Sequence, residues 1–235
     1  DHQEAIADYS KAIEIDPQDA ISYYNRGIVK AELKDYQGAI ADYNKAIEIN
    51  PNDADFYSNR GAAKIDTEDY LGAIEDFDNA LEINPGDYIF YYNRSVAKIK
   101  LGDYRRAIDD LSKAMEINPD DIDSYKDRGF AKITLKDYRG AIADYNKALE
   151  LNPQDASAHY NLGNAKNGLG DHQEAIIDFT KAIEINPQHA GSYINRGTAR
   201  FRIKDYLGAI LDCSKAIEIN PQNSTAYLNR GIAKG

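Results

Sequence analysis

The chain has 235 residues, one Cys, one Met, four His, no Trp and a formal charge of −11. One Cys excludes a disulfide framework or a cysteine-based zinc site, and four scattered His form no metal tract, so no metal or other cofactor is expected. No apolar run reaches the roughly 18 residues of a membrane span and no basic stripe is present, so membrane insertion and nucleic acid are set aside.

Seven prolines, Pro17, Pro51, Pro85, Pro119, Pro153, Pro187 and Pro221, follow one another at a constant interval of 34 residues. A period of this length marks stacked repeats rather than one globular core. With each proline at position 32 of its unit, position 1 falls at Ala20, Ala54, Tyr88, Ile122, Ala156, Ala190 and Ser224. The reading is a single array. It opens with the second helix of a truncated unit (1–19), passes through full units 20–53, 54–87, 88–121, 122–155, 156–189 and 190–223, and closes on the first helix of a truncated unit (224–235). The only Met is Met115, so the native start is expected to be missing. Targeting signals are then unreadable, and the compartment stays open, with the cytoplasm favoured.

Each unit predicts a helix A, a turn and a helix B. In the first full unit helix A begins at Ala20, the turn lies near Lys34-Asp35, and helix B runs from Tyr36 towards Asn50. Position 16 is Asp in every copy, from Asp1 to Asp205, and its carboxylate suits the orphan N–H groups that open helix B. Glu4 and Glu174, three residues after Asp1 and Asp171, resemble the second half of a capping box. Asn-Pro or Asp-Pro ends helix B, since the residue before proline is pushed out of the α region. Position 34, which is Asp19, Asp53, Asp87, Asp121 and Asp155 in five copies, caps the next helix A. Much of the acidity is therefore capping.

Small residues mark where helices meet. Position 8 is Gly in every copy but Ser95, and position 20 is always Ala. A mid-helix Gly costs roughly 1 kcal/mol relative to Ala, so its recurrence implies close approach. Aromatic residues at positions 4, 17 and 24 fill the seams, and Cys213 at position 24 reads as a small core hydrophobe.

Taken together, Tyr23-x2-Arg26-Gly27-x2-Lys30, then Ala39-x3-Tyr43, then Pro51 resemble the tetratricopeptide repeat. The resemblance covers the whole chain and implies an all-α fold: a right-handed superhelical solenoid of 34-residue helix-turn-helix units with A helices lining a concave groove. It implies a non-enzymatic scaffold for a protein or peptide partner. Consistent with that, no catalytic triad, phosphate loop or metalloprotease motif occurs, and no catalytic residue is named.

One departure concerns charge. Position 7 is Arg where the family packs an aliphatic residue, with Leu162 the exception, and position 11 is Lys or Arg. Asp stands at position 23 of helix B in all copies, so a ladder of partly buried Arg–Asp pairs between adjacent helices is expected.

The resemblance places position 6 in the groove, where Asn25, Asn59, Asn93, Asn161, Asn195 and Asn229 recur, with Asp127 in the remaining copy. Asn is a mediocre helix former, so its recurrence calls for a reason. It is similar to the asparagine ladder of the protein O-GlcNAc transferase repeats, where each amide pairs with a peptide group through donor and acceptor together. The alternative is inheritance by duplication, with each Asn solvated or bonded to a neighbour. Tyr24, Tyr92 and Tyr160 at position 5 are candidate clamps for ligand side chains. Unit 122–155 departs most, with Lys126, Asp127 and Phe130, and is the candidate specificity step. The carboxylate clamp of chaperone-binding members is disfavoured, because position 2 carries no cation and position 6 is never Arg. A ladder of a few hydrogen bonds predicts affinity on the order of micromolar. A second expectation is head-to-tail self-association through the uncapped terminal helices, and a third is that the array belongs to a larger multidomain chain.

Overall fold

A computed structural model describes all residues 1–235. It contains helices only, and they group into two compact units, residues 1–119 and 120–235. The first unit holds α1 (His2–Ile15), α2 (Ala20–Glu32), α3 (Tyr36–Ile49), α4 (Ala54–Asp66), α5 (Tyr70–Ile83), α6 (Tyr88–Lys100) and α7 (Tyr104–Ile117). The second holds α8 (Ile122–Thr134), α9 (Tyr138–Leu151), α10 (Ala156–Leu169), α11 (His172–Ile185), α12 (Ala190–Arg202), α13 (Tyr206–Ile219) and α14 (Ser224–Lys234). No helix is long and apolar enough to cross a membrane.

Within each unit every helix packs on the next, and short connections make the neighbours antiparallel. The A helices also touch one another, α2 with α4 and α4 with α6 in the first unit, α8 with α10, α10 with α12 and α12 with α14 in the second. Contacts of that extent do not join B helices, so in each unit the A helices form the more closely gathered side.

Capping largely follows the expected pattern. The carboxylates of Asp35, Asp69, Asp137 and Asp205 each accept from the backbone N–H three residues on, and Asp1 accepts from that of Gln3. Asp171 makes no side-chain cap bond, and no capping box forms there: Glu174 lies 3.8 Å from Lys166 instead. His189 likewise makes no cap bond, and its Nδ1 meets Ser192 Oγ at 2.8 Å.

The A–B turn is a left-handed closure at position 15, where φ is positive in all six copies: Lys34, Glu68, Gly102, Lys136, Gly170 and Lys204. In the first full unit Asp35 N–H donates to Lys30 C=O and Lys34 N–H to Ala31 C=O, which is a Schellman closure of α2.

The core repeats with the chain. Ala39, Ala73, Ala107, Ala141 and Ala175 are fully buried, as are Tyr43, Phe77, Leu111, Tyr145 and Phe179 at position 24. A Cβ placed on Gly27 would come within 2.6 Å of the Tyr43 ring, so a side chain at Gly27 would require that ring to shift. Where position 24 shrinks to Leu111, position 8 grows to Ser95, whose Oγ donates to Tyr92 C=O at 2.6 Å.

The charge ladder forms as expected. Arg26 Nε and Nη2 donate to the two oxygens of Asp42 at 2.9 and 2.7 Å, and Lys30 Nζ lies 2.7 Å from Asp42 Oδ2. The same fork recurs at Arg94–Asp110, Arg128–Asp144 and Arg196–Asp212. Four Arg that make this fork also reach back to position 25 of the preceding B helix: Arg26 to Ser10 Oγ, Arg60 to Asn44 Oδ1, Arg94 to Asp78 and Arg196 to Thr180 Oγ1. One guanidinium therefore ties helix A to both flanking B helices, and it lies over the position-4 Tyr ring, 5.6 Å away for Arg26 and Tyr23. The expected Arg–Asp ladder does not include this second partner, although position 25 is always Ser, Asn, Asp or Thr and carries the signal.

Candidate functional site

All six ladder asparagines are partly buried on the A helices, in the order Asn25 (α2), Asn59 (α4), Asn93 (α6), Asn161 (α10), Asn195 (α12) and Asn229 (α14). The structure assigns several amides a task within the chain. Asn59 Nδ2 donates to Tyr24 OH at 2.9 Å and to Asp55 C=O at 3.0 Å. Asn195 Nδ2 donates to Tyr160 OH at 3.0 Å and to Asn164 Oδ1 at 2.7 Å. Asn229 Nδ2 donates to Thr198 Oγ1 at 3.2 Å, and Asn164 Nδ2 to Asn161 Oδ1 at 3.3 Å.

An amide nitrogen carries two hydrogens, so both donors of Asn59 and of Asn195 are spent on neighbouring groups. Pairing through donor and acceptor together, as expected from sequence, would require breaking one of these bonds. What each leaves for a ligand is its carbonyl oxygen, held at a fixed angle. The polar residues Asn164 and Thr198 at position 9 complete the network.

The position-5 tyrosines are packed more deeply than free clamps would be. The Tyr24 ring lies 4.8 Å from Phe56 and 5.9 Å from Tyr43, and Tyr160 lies edge-on to His189 at 4.8 Å and 6.0 Å from Phe179. Burial pushes the Tyr24 phenol up, with Asp55 and Asp53 adding to the effect, so it stays protonated. Its body fills the seam and its hydroxyl orients the next asparagine. Tyr92 is partly buried on α6, in the unit preceding Asp127.

In the divergent unit, Lys126 Nζ lies 2.9 Å from Asp155 and 3.5 Å from Asp123. Burial opposes charge on Lys126, but its bonds to these carboxylates outweigh that and hold the ammonium above its ordinary range. Burial would raise Asp155, yet hydrogen bonds from Ser157 and Lys126 bring it down to about 2. Lys126 thus braces the carboxylate that caps α10. Asp127 is partly buried, and Phe130 is 44 % exposed on the same helix. No group of three or more His, Cys, Asp or Glu side chains is arranged to hold a metal.

Models of the TPR repeat match residues 1–34 and 132–170. Models of the tetratricopeptide repeat match 20–53, 42–75, 88–121, 156–189 and 190–223, and the matches together span well over half of the chain. The crystal structure of YrrB, described as a TPR protein with an unusual peptide-binding site, is 26% identical with a TM-score of 0.71, covering 80% of this chain and 97% of its own. A crystal structure of MamA is 27% identical with a TM-score of 0.66, covering 70% of this chain and 96% of its own. The C-terminal part of a TPR repeat-containing protein from Cytophaga hutchinsonii shares the fold at 18% identity, with a TM-score of 0.80 and coverage of 97% and 94%. The comparison with curated protein sequences returned no match.

Proposed function

The chain belongs to the tetratricopeptide-repeat family, a family of protein-interaction scaffolds, and on that premise we propose that it binds an extended segment of a partner protein along the asparagine-bearing face of its A helices. The observation that carries this reading is the immobilised amide. Tyr24 and Tyr160 fix Asn59 and Asn195 from the preceding unit, leaving a carbonyl oxygen on each as a pre-oriented acceptor. Such acceptors suit backbone N–H groups of a strand-like segment, or its Lys and Arg side chains. Asp55 on the same face adds a further acceptor; burial raises its carboxyl, with Asp53 and Asp87 adding to the rise.

The peptide-binding site attributed to YrrB supports the assignment of a peptide as ligand. Lys126, Asp127 and Phe130 break the pattern of the other units and are the proposed specificity step. The test is selection from a random peptide library on the intact chain, followed by competition between the selected peptides. Peptides that compete with one another and lose binding to a chain carrying Asn59→Ala, Asn93→Ala and Asn195→Ala support the face. Peptides indifferent to all three substitutions place the ligand elsewhere.

A further inference from the structure

Position 24 carries a large side chain in five of the six full units, and the one that does not leaves a hole. The rings of Tyr43, Phe77, Tyr145 and Phe179 press so closely on Gly27, Gly61, Gly129 and Gly163 that a Cβ there would lie 2.6–2.9 Å from ring atoms. Leu111 is smaller, and Ser95 in place of Gly makes up volume opposite it. At Cys213 the side chain is smaller still, but the facing residue remains Gly197. Nothing in the pair replaces the missing ring.

A cavity of about 180 Å³ stands there, with Gly197, Ala209 and Cys213 against it and Phe201 and Ile232 lining it further. Its wall is mostly apolar, with Arg202 the one charged residue on it, and it is partly open. Burial pushes the Cys213 thiol up, so this wall is neutral at ordinary pH. Thr198 and Asn229 also line it, and these two share the hydrogen bond that ends the amide network, so the cavity adjoins the asparagine-bearing face. An apolar cavity of roughly 150 Å³ is known to stay dry and accept benzene, which sets the size class of the occupant.

We propose that this cavity is an acceptor site for one aromatic side chain, Phe or Tyr, of the segment bound along the A helices. The proposal rests on the groove reading above for delivery of the ring. The entering ring occupies the volume that the position-24 ring fills in the other units, and a well-packed aromatic anchor of this kind is what concentrates affinity at an interface.

Two arms test it on the intact chain. In the first, toluene is the probe, titrated by ligand-detected NMR against wild type, Cys213→Phe and Cys213→Leu. The Phe variant restores the ring found at Phe179 and the Leu variant the residue found at Leu111, so at least one retains the fold. Saturable toluene binding to wild type, weakened at least about tenfold by either filling substitution, is the expected result. No saturable binding to wild type, or equal binding to folded filled variants, overturns the cavity as a site. In the second arm, peptides selected on wild type are measured with each aromatic residue replaced by Ala. One such replacement costs at least about tenfold on wild type and little on the filled variant. Peptides that need no aromatic residue, while toluene still binds, overturn the side-chain assignment. A library without binders overturns the groove reading and the delivery of a side chain with it, whereas failure of toluene alone leaves the groove reading untouched.

Discussion

Arg60 meets Asp76 with two parallel hydrogen bonds, Nε to Oδ2 at 3.0 Å and Nη2 to Oδ1 at 2.5 Å, around a carboxylate that is 1 % exposed. Lys64 Nζ adds a contact at 2.8 Å to Oδ2. Removing one member of such a set leaves the others charged and partly buried. Asp76→Asn should therefore cost about 3–5 kcal/mol. Urea unfolding checks this, and a cycle combining it with Arg60→Ala should show coupling of about 1–3 kcal/mol, since the pair acts as a unit.

Asp178 is the natural contrast. Leu162 stands where its arginine partner would be, leaving Lys166 Nζ at 2.7 Å and His159 Nδ1 at 3.9 Å from its oxygens. Burial raises the Asp178 carboxyl, with Lys166 and His159 pulling it down less strongly and Glu174 pushing it further up. A carboxyl raised on folding favours the native state while protonated, so this contribution is present at acid pH and is lost as pH rises through the folded pKa. At neutral pH Asp178→Asn should stay within about 1 kcal/mol of wild type, whereas Asp144→Asn, which breaks a fork, should cost about 3 kcal/mol. The gap between wild type and Asp178→Asn should then shift in favour of wild type as pH falls towards 4, roughly the unperturbed carboxyl value. Denaturation midpoints across pH read both effects.

Two glycines at the same position of the unit should respond oppositely. A Cβ on Gly61 would stand 2.9 Å from the Phe77 ring, while one on Gly231 meets nothing within 4 Å. Gly61→Ala should destabilise by about 1–3 kcal/mol through overpacking. Gly231→Ala should be neutral or stabilise by up to about 1 kcal/mol through helix propensity. Thermal unfolding of the two variants separates local packing from propensity.

Lys136 holds φ at 63° in its A–B turn, where the corresponding residue of another unit is Gly102. A left-handed backbone costs an ordinary L-residue roughly 1–2 kcal/mol, so Lys136→Gly should stabilise by up to about 1 kcal/mol once the entropy of glycine is charged against it. Gly102→Lys should destabilise to a similar degree, and the pair of midpoints checks the sign in both directions.

Much of this molecule was legible because repetition fixes positions. Asp at position 23 and Arg at position 7 recur together, and the fork between Arg26 and Asp42 follows from that co-occurrence. Other features were hidden by the same repetition. Tyr24 and Asn59 belong to successive units, and each reads on its own helix as a groove residue; only the packing of one A helix on the next brings phenol to amide. The left-handed turn was masked because Lys or Glu stands at four of its six copies, so glycine signalled it only at Gly102 and Gly170. Cys213 is legible as a buried small residue, but the hole beside it depends on Gly197 remaining Gly, which a residue-by-residue reading does not register.

Whether the asparagine-bearing face of the A helices holds an extended segment is decided by a fluorescence-anisotropy titration of a library-selected, labelled peptide into wild type and into the Asn59→Ala, Asn93→Ala, Asn195→Ala chain, with helicity followed in parallel. Loss of several hydrogen bonds at about 0.5–1.5 kcal/mol each predicts at least tenfold weaker binding by a fully helical variant. An unchanged dissociation constant in that folded variant would place the segment on another surface.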